Sequence, residues 1–301
     1  MTRSSVRTIS LGVIGLILTS ICSVEAGSPS RPDLSKVERW GYQLQSADFD
    51  QIAKSDLDLM VIDASRDGTA TGAYTKEEIS RLKIKPDGSR RLAISYFSIG
   101  EAEDYRGYWQ PEWTQHAPDW LGKENPSWPG NYPVKFWHRE WQEIILRQLD
   151  KIIEAGFDGI YLDRVDVYWE HRDHPGAADK MIAFVKRLAD HARSVNPSFI
   201  VIAQNAEALL ENDAYADLID GEGKEDLIFG VDGDGVPNSE EELYWSKKYL
   251  RAGYSKGVPV FVIEYLADKQ KRKQAAKEIR TLGFLPIFSR RALDVLSQTS
   301  P

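Results

Sequence analysis

Carboxylates follow apolar, strand-like runs at several points along the chain. The clearest case is GFDGIYLDRVD, residues 156–166, where an apolar run reaches Asp163 and Asp166. Comparable runs elsewhere end near Asp63, Glu101, Gln204, Asn205, Glu207, Glu222, Glu225, Glu264 and Tyr265. Carboxylates that face one another in a cleft repel, so one stays protonated while another stays ionised. Glycoside hydrolysis requires such a pair, one group as acid and the other as nucleophile or base.

The runs that carry these carboxylates are eight in number. They occupy residues 39–45, 57–65, 91–101, 156–166, 199–207, 216–225, 258–265 and 282–289. Several are continuously hydrophobic, which is typical of parallel strands covered by helices. Amphipathic segments separate them, such as 139–156 and 179–197, each ending at a glycine or at Asn-Pro. Eight such units predict a single-domain α/β protein, a (β/α)8 TIM barrel; an open doubly wound sheet is the alternative.

A barrel gives these carboxylates a common location. Catalytic residues of such barrels lie at the C-terminal ends of the strands and on the loops that follow. Tyr161 and Asp163 would share one face of the fourth strand, and Ile160 and Leu162 the other. Asp158, at the strand start, is better explained as a turn or cap residue. For any single carboxylate a helix cap or solvated charge is the simpler interpretation, but six of eight strands share the pattern.

A long loop rich in tryptophan is predicted after the third strand. Six of the nine Trp residues lie between 109 and 141, among Pro, Gly and Asn. Aromatic faces can stack on the apolar faces of sugar rings, which favours a carbohydrate ligand. Because an insertion of this size needs a small core of its own, we expect at most two or three of these rings to reach a ligand.

The first 26 residues have the pattern of a secretory signal peptide. Arg3 and Arg7 precede a short apolar run, and small residues follow, with cleavage expected after Ala26. An uncleaved anchor is the alternative. Lipid attachment at Cys22 is disfavoured by the bulky Ile21. We therefore predict a secreted or periplasmic protein without stable membrane association, a flexible lead-in at 27–38 and a catalytic domain at 39–295.

Composition excludes several kinds of chemistry. Cys22 is the only cysteine, so cleavage would leave neither disulfides nor thiol nucleophiles. A net charge of −8 argues against nucleic acid as a partner. Metal binding by His171, Asp173 and His174, or by the turn-rich 231–242, is less plausible than a solvated loop. We expect no metal and no cofactor.

Four stretches together resemble a known family. SYFSIGEAEDYRGYW, GFDGIYLDRVDVY, IAQNAEALL and DGEGKEDLIFG resemble the secreted glycoside hydrolase family 114, in particular its broad bacterial and archaeal branch. The likeness runs from about Trp40 to Leu293. The family is a (β/α)8 barrel, and its characterised members are endo-acting hydrolases of α-1,4-linked polygalactosamine.

The resemblance also implies roles for individual residues. The catalytic pair would be Asp163 and Glu225, the latter five positions after Asp220, with Glu222 as a nearby competitor. Residues implied to bind substrate are Tyr42, Asp63, Tyr96, Glu101, Asn205, Glu222 and Glu264.

These observations predict a glycoside hydrolase acting on an α-linked, possibly amino-sugar, polysaccharide. Asp163 would be the nucleophile and Glu225 the general acid/base of a retaining reaction; a carboxyl separation of about 6.5–9.5 Å would instead indicate inversion. A catalytically silent carbohydrate-binding barrel and a glycosyl transferase remain the alternatives.

Overall fold

Parallel strands of three to seven residues form the centre of the protein. The computed structural model describes Met1 and residues 31–297, so the predicted signal peptide lies outside the described residues except for Met1. The strands are β1 Trp40–Tyr42, β2 Leu59–Ile62, β3 Leu92–Ser98, β4 Glu101–Glu103, β5 Asn131–Pro133, β6 Gly159–Asp163, β7 Ile200–Gln204, β8 Gly221–Glu225, β9 Val260–Glu264 and β10 Leu285–Phe288. Eight of them pair in parallel in the order β1-β2-β3-β6-β7-β8-β9-β10, while β4 and β5 form a separate antiparallel ribbon.

Helices follow the strands and cover the outside of the sheet. They are α1 Phe49–Lys54, α2 Lys76–Leu82, α3 Arg139–Glu154, α4 Val167–Glu170, α5 Ala177–Val195, α6 Asp213–Ala216, α7 Glu240–Ser255 and α8 Lys269–Thr281. In α3 the residues Trp141, Ile144, Ile145, Leu149 and Ile152 share the buried side. The predicted (β/α)8 barrel is confirmed. No helix in the described part of the chain is both long and apolar enough to span a membrane.

Alternation along each strand divides the apolar residues into two layers. Ile160 and Leu162 of β6 pack outward against the helices. Tyr161 belongs to the barrel interior, as do residues such as Val61 of β2 and Phe261 of β9. This is the predicted division of β6, and it leaves Asp163 on the interior face at the open end of the strand.

The seam between β1 and β10 is closed by side chains and by the segment after β10. The indole nitrogen of Trp40 donates to the carbonyl of Leu285 at 3.0 Å. The backbone N–H of Leu44 donates to the carbonyl of Leu293, and that of Tyr42 to the Ser297 hydroxyl, at 2.9 and 3.0 Å. Residues 293–297 therefore complete the barrel.

Residues 31–38 are the described part of the lead-in that was predicted to be flexible at 27–38, and they are ordered; residues 27–30 lie outside the described residues. Residues Leu34–Lys36 form a turn of 3-10 helix. Leu34 and Val37 are buried and join the interior apolar cluster, and Arg31 pairs with Asp220 at 2.7 Å. The physical reason is that the barrel would otherwise expose apolar interior side chains at the N-terminal ends of its strands. Leu34 and Val37 cover these side chains.

The tryptophan-rich loop between β3 and α3 forms the small core expected of it. Trp113 packs edge-on against Trp120 with ring centroids 5.1 Å apart, and Trp120 packs against Trp141 in a tilted arrangement with centroids 5.2 Å apart. The indole of Trp141 donates to the carbonyl of Ile99 at 2.9 Å, which ties this core to the end of β3. Trp128, by contrast, is 54% exposed.

Candidate active site

A cavity of about 860 Å³ opens at the C-terminal ends of the strands. Seven of the predicted site residues line it: Tyr42, Asp63, Tyr96, Glu101, Asp163, Asn205 and Glu225. Each barrel strand ends at this mouth because all eight run in the same direction. The barrel thus brings side chains from distant parts of the sequence into one site.

Asp163 stands at the end of β6, on the interior face. Its Oδ2 accepts a hydrogen bond of 2.6 Å from the Tyr96 hydroxyl. Its Oδ1 accepts one of 2.9 Å from the Gln204 amide nitrogen. Two donors from neighbouring strands therefore hold this carboxylate in one orientation.

Glu225 stands at the end of β8 and accepts three hydrogen bonds. The amides of Gln204 and Asn205 both donate to its Oε2, at 2.9 and 3.0 Å, and the Tyr265 hydroxyl donates to its Oε1. The backbone N–H of Glu225 donates in return to the Asn205 side-chain oxygen at 3.0 Å. These contacts fix the position of the carboxyl group.

Gln204 joins the two acids. Its single amide nitrogen donates one hydrogen to Asp163 Oδ1 and the other to Glu225 Oε2, each at 2.9 Å. Since both bonds end on the same nitrogen, the two carboxyl oxygens can be no farther apart than twice 2.9 Å. Sequence reasoning noticed Gln204 at a strand end but gave it no role.

The electrostatic environment favours a proton on Glu225. Burial raises the pKa of Glu225 to about 7, and the negative charge of Asp163 contributes in the same direction. Hydrogen bonds from Tyr265 and Asn205 oppose this increase in pKa. A carboxyl group with a pKa near neutrality can be protonated at the start of a reaction and ionised later.

Backbone strain is concentrated next to these residues. Arg164, Asn205 and Asp226 directly follow Asp163, Gln204 and Glu225, and their φ angles are 59°, 56° and 52°. The left-handed conformation costs a residue other than glycine on the order of 1–3 kcal/mol and persists only where the surroundings enforce it. The strain lies at three adjacent strand ends that carry the site.

Glycine forms the floor beneath the acids. A Cβ atom on Gly223 of β8 would lie only 2.0 Å from the Tyr161 hydroxyl. Any larger residue would therefore displace Tyr161 from the barrel interior. Gly223 allows that tyrosine to fill the space below Asp163 and Glu225.

One wall of the cavity is a buried ion-pair network that sequence reasoning missed. Arg106 donates to both oxygens of Asp63, at 2.8 and 2.7 Å, and to Glu103 at 2.6 Å. The predicted site residue Asp63 is thus neutralised by an arginine. Arg106 lies in the GEAEDYR stretch that was quoted for the family resemblance, so the motif contained the signal.

A second wall of the cavity connects Glu101 to the end of β6. Glu101 accepts a 2.9 Å hydrogen bond from the Asn125 amide and lies 3.5 Å from the Arg164 guanidinium. Burial raises the pKa of Glu101, while Arg164 opposes the increase. This arrangement ties the tryptophan-rich loop to the residue that follows Asp163.

A third group of contacts surrounds Tyr265. The Arg291 guanidinium lies over the Tyr265 ring, 4.4 Å from its centroid, and pairs with Asp226 and Asp234. Neither Arg291 nor its contacts were predicted, because residue 291 follows the last strand and carries no motif.

The structure places two predicted site residues outside the cavity. Glu222 is fully buried on the outward face of β8, where it accepts from the backbone N–H of Ala206 at 2.9 Å. Glu264 is also fully buried and accepts from the backbone N–H groups of Ile228 and Phe229. Both carboxyl groups accept hydrogen bonds from the backbone of the loops after the strands, and neither faces the mouth of the barrel.

Within residues 31–297, no group of three or more His, Cys, Asp or Glu side chains is placed to hold a metal ion. His174 stacks on Trp137 with ring centroids 4.1 Å apart, and its Nε2 lies 2.7 Å from Lys180 Nζ. The 231–242 segment contributes Asp234 to the Arg291 contact.

Acidic side chains outnumber basic ones in the lining of the cavity. Its lining carries eight acidic side chains, Asp63, Glu101, Glu103, Glu124, Asp163, Asp166, Glu170 and Glu225, and four basic ones, Arg106, Lys123, Arg164 and Arg291. The arginines are each paired with carboxylates. The site therefore has more acid than base to offer a ligand.

Comparison with known proteins agrees with this geometry. The model of glycoside-hydrolase family GH114 matches residues 23–300. An uncharacterised protein of Methanocaldococcus jannaschii is 43% identical over 276 residues, which cover 86% of this chain and 78% of the relative.

Two solved structures share the fold. The glycoside hydrolase domain of PelA from Pseudomonas aeruginosa matches with a TM-score of 0.68 at 17% identity, covering 88% of this chain and 99% of that domain. Ega3 of Aspergillus fumigatus, solved in complex with galactosamine, matches with a TM-score of 0.65 at 21% identity, covering 90% and 97%. The family match extends over nearly the whole sequence, and the resemblance noted from four motifs is confirmed. This chain belongs to glycoside hydrolase family GH114 and is a glycoside hydrolase.

Proposed function

We propose that this glycoside hydrolase retains the anomeric configuration of its substrate, with Asp163 as nucleophile and Glu225 as general acid/base. The observation that carries the proposal is the Gln204 amide, which binds both carboxyls at 2.9 Å. Retaining enzymes hold their two carboxyls about 5–5.5 Å apart, and inverting enzymes about 6.5–9.5 Å apart. Two bonds of 2.9 Å to one nitrogen fit the former range.

In the first step Glu225 gives its proton to the glycosidic oxygen. The bond between that oxygen and the anomeric carbon breaks, and an oxygen of Asp163 bonds to the anomeric carbon from the opposite face. The result is a glycosyl ester on Asp163 and a free sugar hydroxyl. A pKa of about 7 keeps Glu225 mostly protonated below pH 7 and about half protonated at pH 7, so the acid is available for this step.

In the second step Glu225, now ionised, takes a proton from water. The water oxygen bonds to the anomeric carbon, and the ester bond to Asp163 breaks. Glu225 Oε2 already accepts from Gln204 and Asn205, which can only donate through their amide nitrogens. The proton that Glu225 donates and later takes up is therefore bound to Oε1, next to the Tyr265 hydroxyl.

The substrate proposed is an α-linked amino-sugar polysaccharide, with polygalactosamine as the leading candidate. The excess of carboxylates in the cavity favours a polymer that bears ammonium groups. Ega3, which has the same fold, was solved with galactosamine bound. The basic and apolar pattern of the first 26 residues supports a secreted or periplasmic location, where such a polymer would be met.

The test combines a substrate panel with three variants. The purified enzyme is incubated with α-1,4-polygalactosamine, its N-acetylated form, chitosan and starch, and products are measured by mass spectrometry. Asp163→Asn should abolish turnover, and Glu225→Gln should lower it about 10²–10⁴-fold. Glu222→Gln is the matched control, because burial raises the pKa of Glu222 well above its ordinary value and glutamine resembles the neutral acid.

Two results would contradict the proposed mechanism, and a third would contradict the proposed substrate. Full activity of folded Asp163→Asn or Glu225→Gln protein would remove the assigned roles. Release of a product with inverted anomeric configuration, read by proton NMR within the first minutes, would exclude a retaining reaction. Hydrolysis of starch alone would overturn the amino-sugar assignment, and hydrolysis of chitosan alone would overturn the α linkage, because chitosan is a β-linked amino-sugar polymer. Either result would leave the two-carboxylate mechanism standing.

A further inference from the structure

The antiparallel ribbon of β4 and β5 forms part of the cavity rim. Glu101 pairs with Pro133 and Glu103 with Asn131, and the backbone N–H of Asp104 donates to the carbonyl of Gly130 at 2.8 Å. A strand rises about 3.3 Å per residue, so the tip of the ribbon lies roughly 10 Å beyond Glu101. The ribbon therefore extends the site away from the catalytic pair.

An exposed indole is held at this tip. Trp128 lines the cavity yet is 54% exposed. In the same loop Trp113 and Trp120 are only 8% and 1% exposed, so the core of the loop is complete without Trp128. Burial of apolar surface is favourable in free energy, and the exposed indole of Trp128 lacks this contribution. A ligand that covers the ring would bury the surface and gain that free energy on binding.

The turn that carries Trp128 is well ordered by hydrogen bonds. The N–H of Trp128 donates to the Asn125 carbonyl, and the N–H of Asn131 donates to the Trp128 carbonyl, both at 3.1 Å. Glu124 accepts from the backbone N–H of Gly130 at 2.8 Å. The ring is therefore presented from a defined backbone, which lowers the entropy cost of binding a ligand.

The same turn is connected to the catalytic strand. The Asn125 amide donates to Glu101 at 2.9 Å, and Glu101 lies 3.5 Å from Arg164, the residue after Asp163. Tyr105 also lines the cavity, and a Cβ on Gly130 would lie 3.7 Å from its ring. Trp128 and Tyr105 thus stand on adjacent parts of the ribbon tip.

We propose that Trp128, flanked by Tyr105, is a distal sugar-binding subsite that stacks on a ring of the polysaccharide remote from the scissile linkage. The inference rests on the proposed function, since it takes the substrate to be a polymer. The apolar face of a sugar ring covers the indole, and the hydroxyl or ammonium groups at the edge of that ring meet Glu124 and Ser127, which line the same wall. Substrates long enough to span both places bind better than short ones.

The experiment compares Trp128→Ala with Trp245→Ala. Trp245 is an exposed tryptophan of α7, 42% exposed and outside the cavity lining. For each protein, kcat/KM is measured on α-1,4-galactosamine oligomers of increasing length. Trp128→Ala should lose about tenfold on the longest oligomers and nothing on the shortest oligomer that is cleaved. Trp245→Ala should match the wild type at every length.

Loss of equal size at all lengths, or no loss at any length, would overturn the subsite while leaving the proposed function intact. A wild type that cleaves none of the oligomers would overturn the proposed function instead. In that case the subsite is decided by calorimetric binding of the same oligomers to Asp163→Asn and to Asp163→Asn with Trp128→Ala. Weaker binding of long oligomers by the double variant supports the subsite; equal binding, or none by either protein, overturns it.

Discussion

The protonation state of Glu225 should set the alkaline limit of activity. The acid must carry a proton to begin the reaction, and its pKa is raised to about 7 by burial and by the charge of Asp163. As pH rises through 7 the protonated fraction falls to about one half, and it falls to roughly one tenth at pH 8. We therefore expect kcat/KM to decrease tenfold per pH unit above neutrality.

Replacing Tyr265 by Phe should move the alkaline limit of activity to higher pH. The Tyr265 hydroxyl donates to Glu225 Oε1, and this contact lowers the pKa of Glu225. A hydrogen bond to a charged group contributes about 1.5–3 kcal/mol, and about 1.4 kcal/mol corresponds to one pKa unit. The alkaline limb should shift by roughly one to two units, so the variant keeps activity at a pH where the wild type has lost most of it.

The assay is kcat/KM on the best polymer between pH 4.5 and pH 9.5, for wild type, Tyr265→Phe and Tyr244→Phe. Tyr244 is 62% exposed on α7 and serves as the matched control, whose limb should coincide with that of the wild type. An alkaline limb that stays in place or moves to lower pH in Tyr265→Phe would refute the identification of Glu225 as the titrating acid.

Three further changes test the packing around the site. Replacing Trp120, which is 1% exposed, by Ala should lower the free energy of unfolding by about 3–5 kcal/mol, as measured by urea denaturation. Arg106→Met leaves Asp63 and Glu103 without their common partner and should cost about 3–5 kcal/mol in the same assay. Burial raises the pKa of Glu222, so its contribution to stability is present at acidic pH and is lost as pH rises. Glu222→Gln should therefore flatten the decrease in melting temperature between pH 5 and pH 9.

Each of these expectations can fail in a recognisable way. If Trp120→Ala lowered the free energy of unfolding no more than the removal of an exposed tryptophan, the core of the tryptophan-rich loop would contribute little to stability. Unchanged stability of Arg106→Met would mean that water solvates Asp63 and Glu103 when the guanidinium is removed. A melting temperature of Glu222→Gln that follows the wild-type pH dependence would mean that another group causes the decrease.

Most of the strands were predictable because parallel strands covered by helices have nearly continuous apolar sequences, as in β2, β7 and β9. In the segment 156–166, the alternation of side chains between the two faces of a strand correctly placed Asp163 on the interior face. The same alternation could have distinguished the acids that face the cavity from those that face outward. On β8, Gly221, Gly223 and Glu225 point inward, so Glu222 must point outward.

The same rule applies to Glu264. Phe261 and Ile263 belong to the barrel interior, so Glu264 faces outward and Tyr265 faces the cavity. The contacts of Arg106 and Gln204 could not be predicted in this way, because they depend on which neighbouring strand ends approach one another. The ordered segment before β1 was missed because two isolated apolar residues, Leu34 and Val37, give no periodic signal.

The closure of the barrel by residues 293–297 has a consequence for synthesis. Tyr42 leaves the ribosome 255 residues before Ser297, the partner of its backbone N–H. Leu293, which lines the cavity and accepts from Leu44 and Gln45, is made almost as late. Contacts this distant in sequence are slow to form. A nascent chain therefore contains Asp163 and Glu225 long before the cavity lining is complete, and we expect hydrolysis to begin only after residues 293–297 have docked against β1.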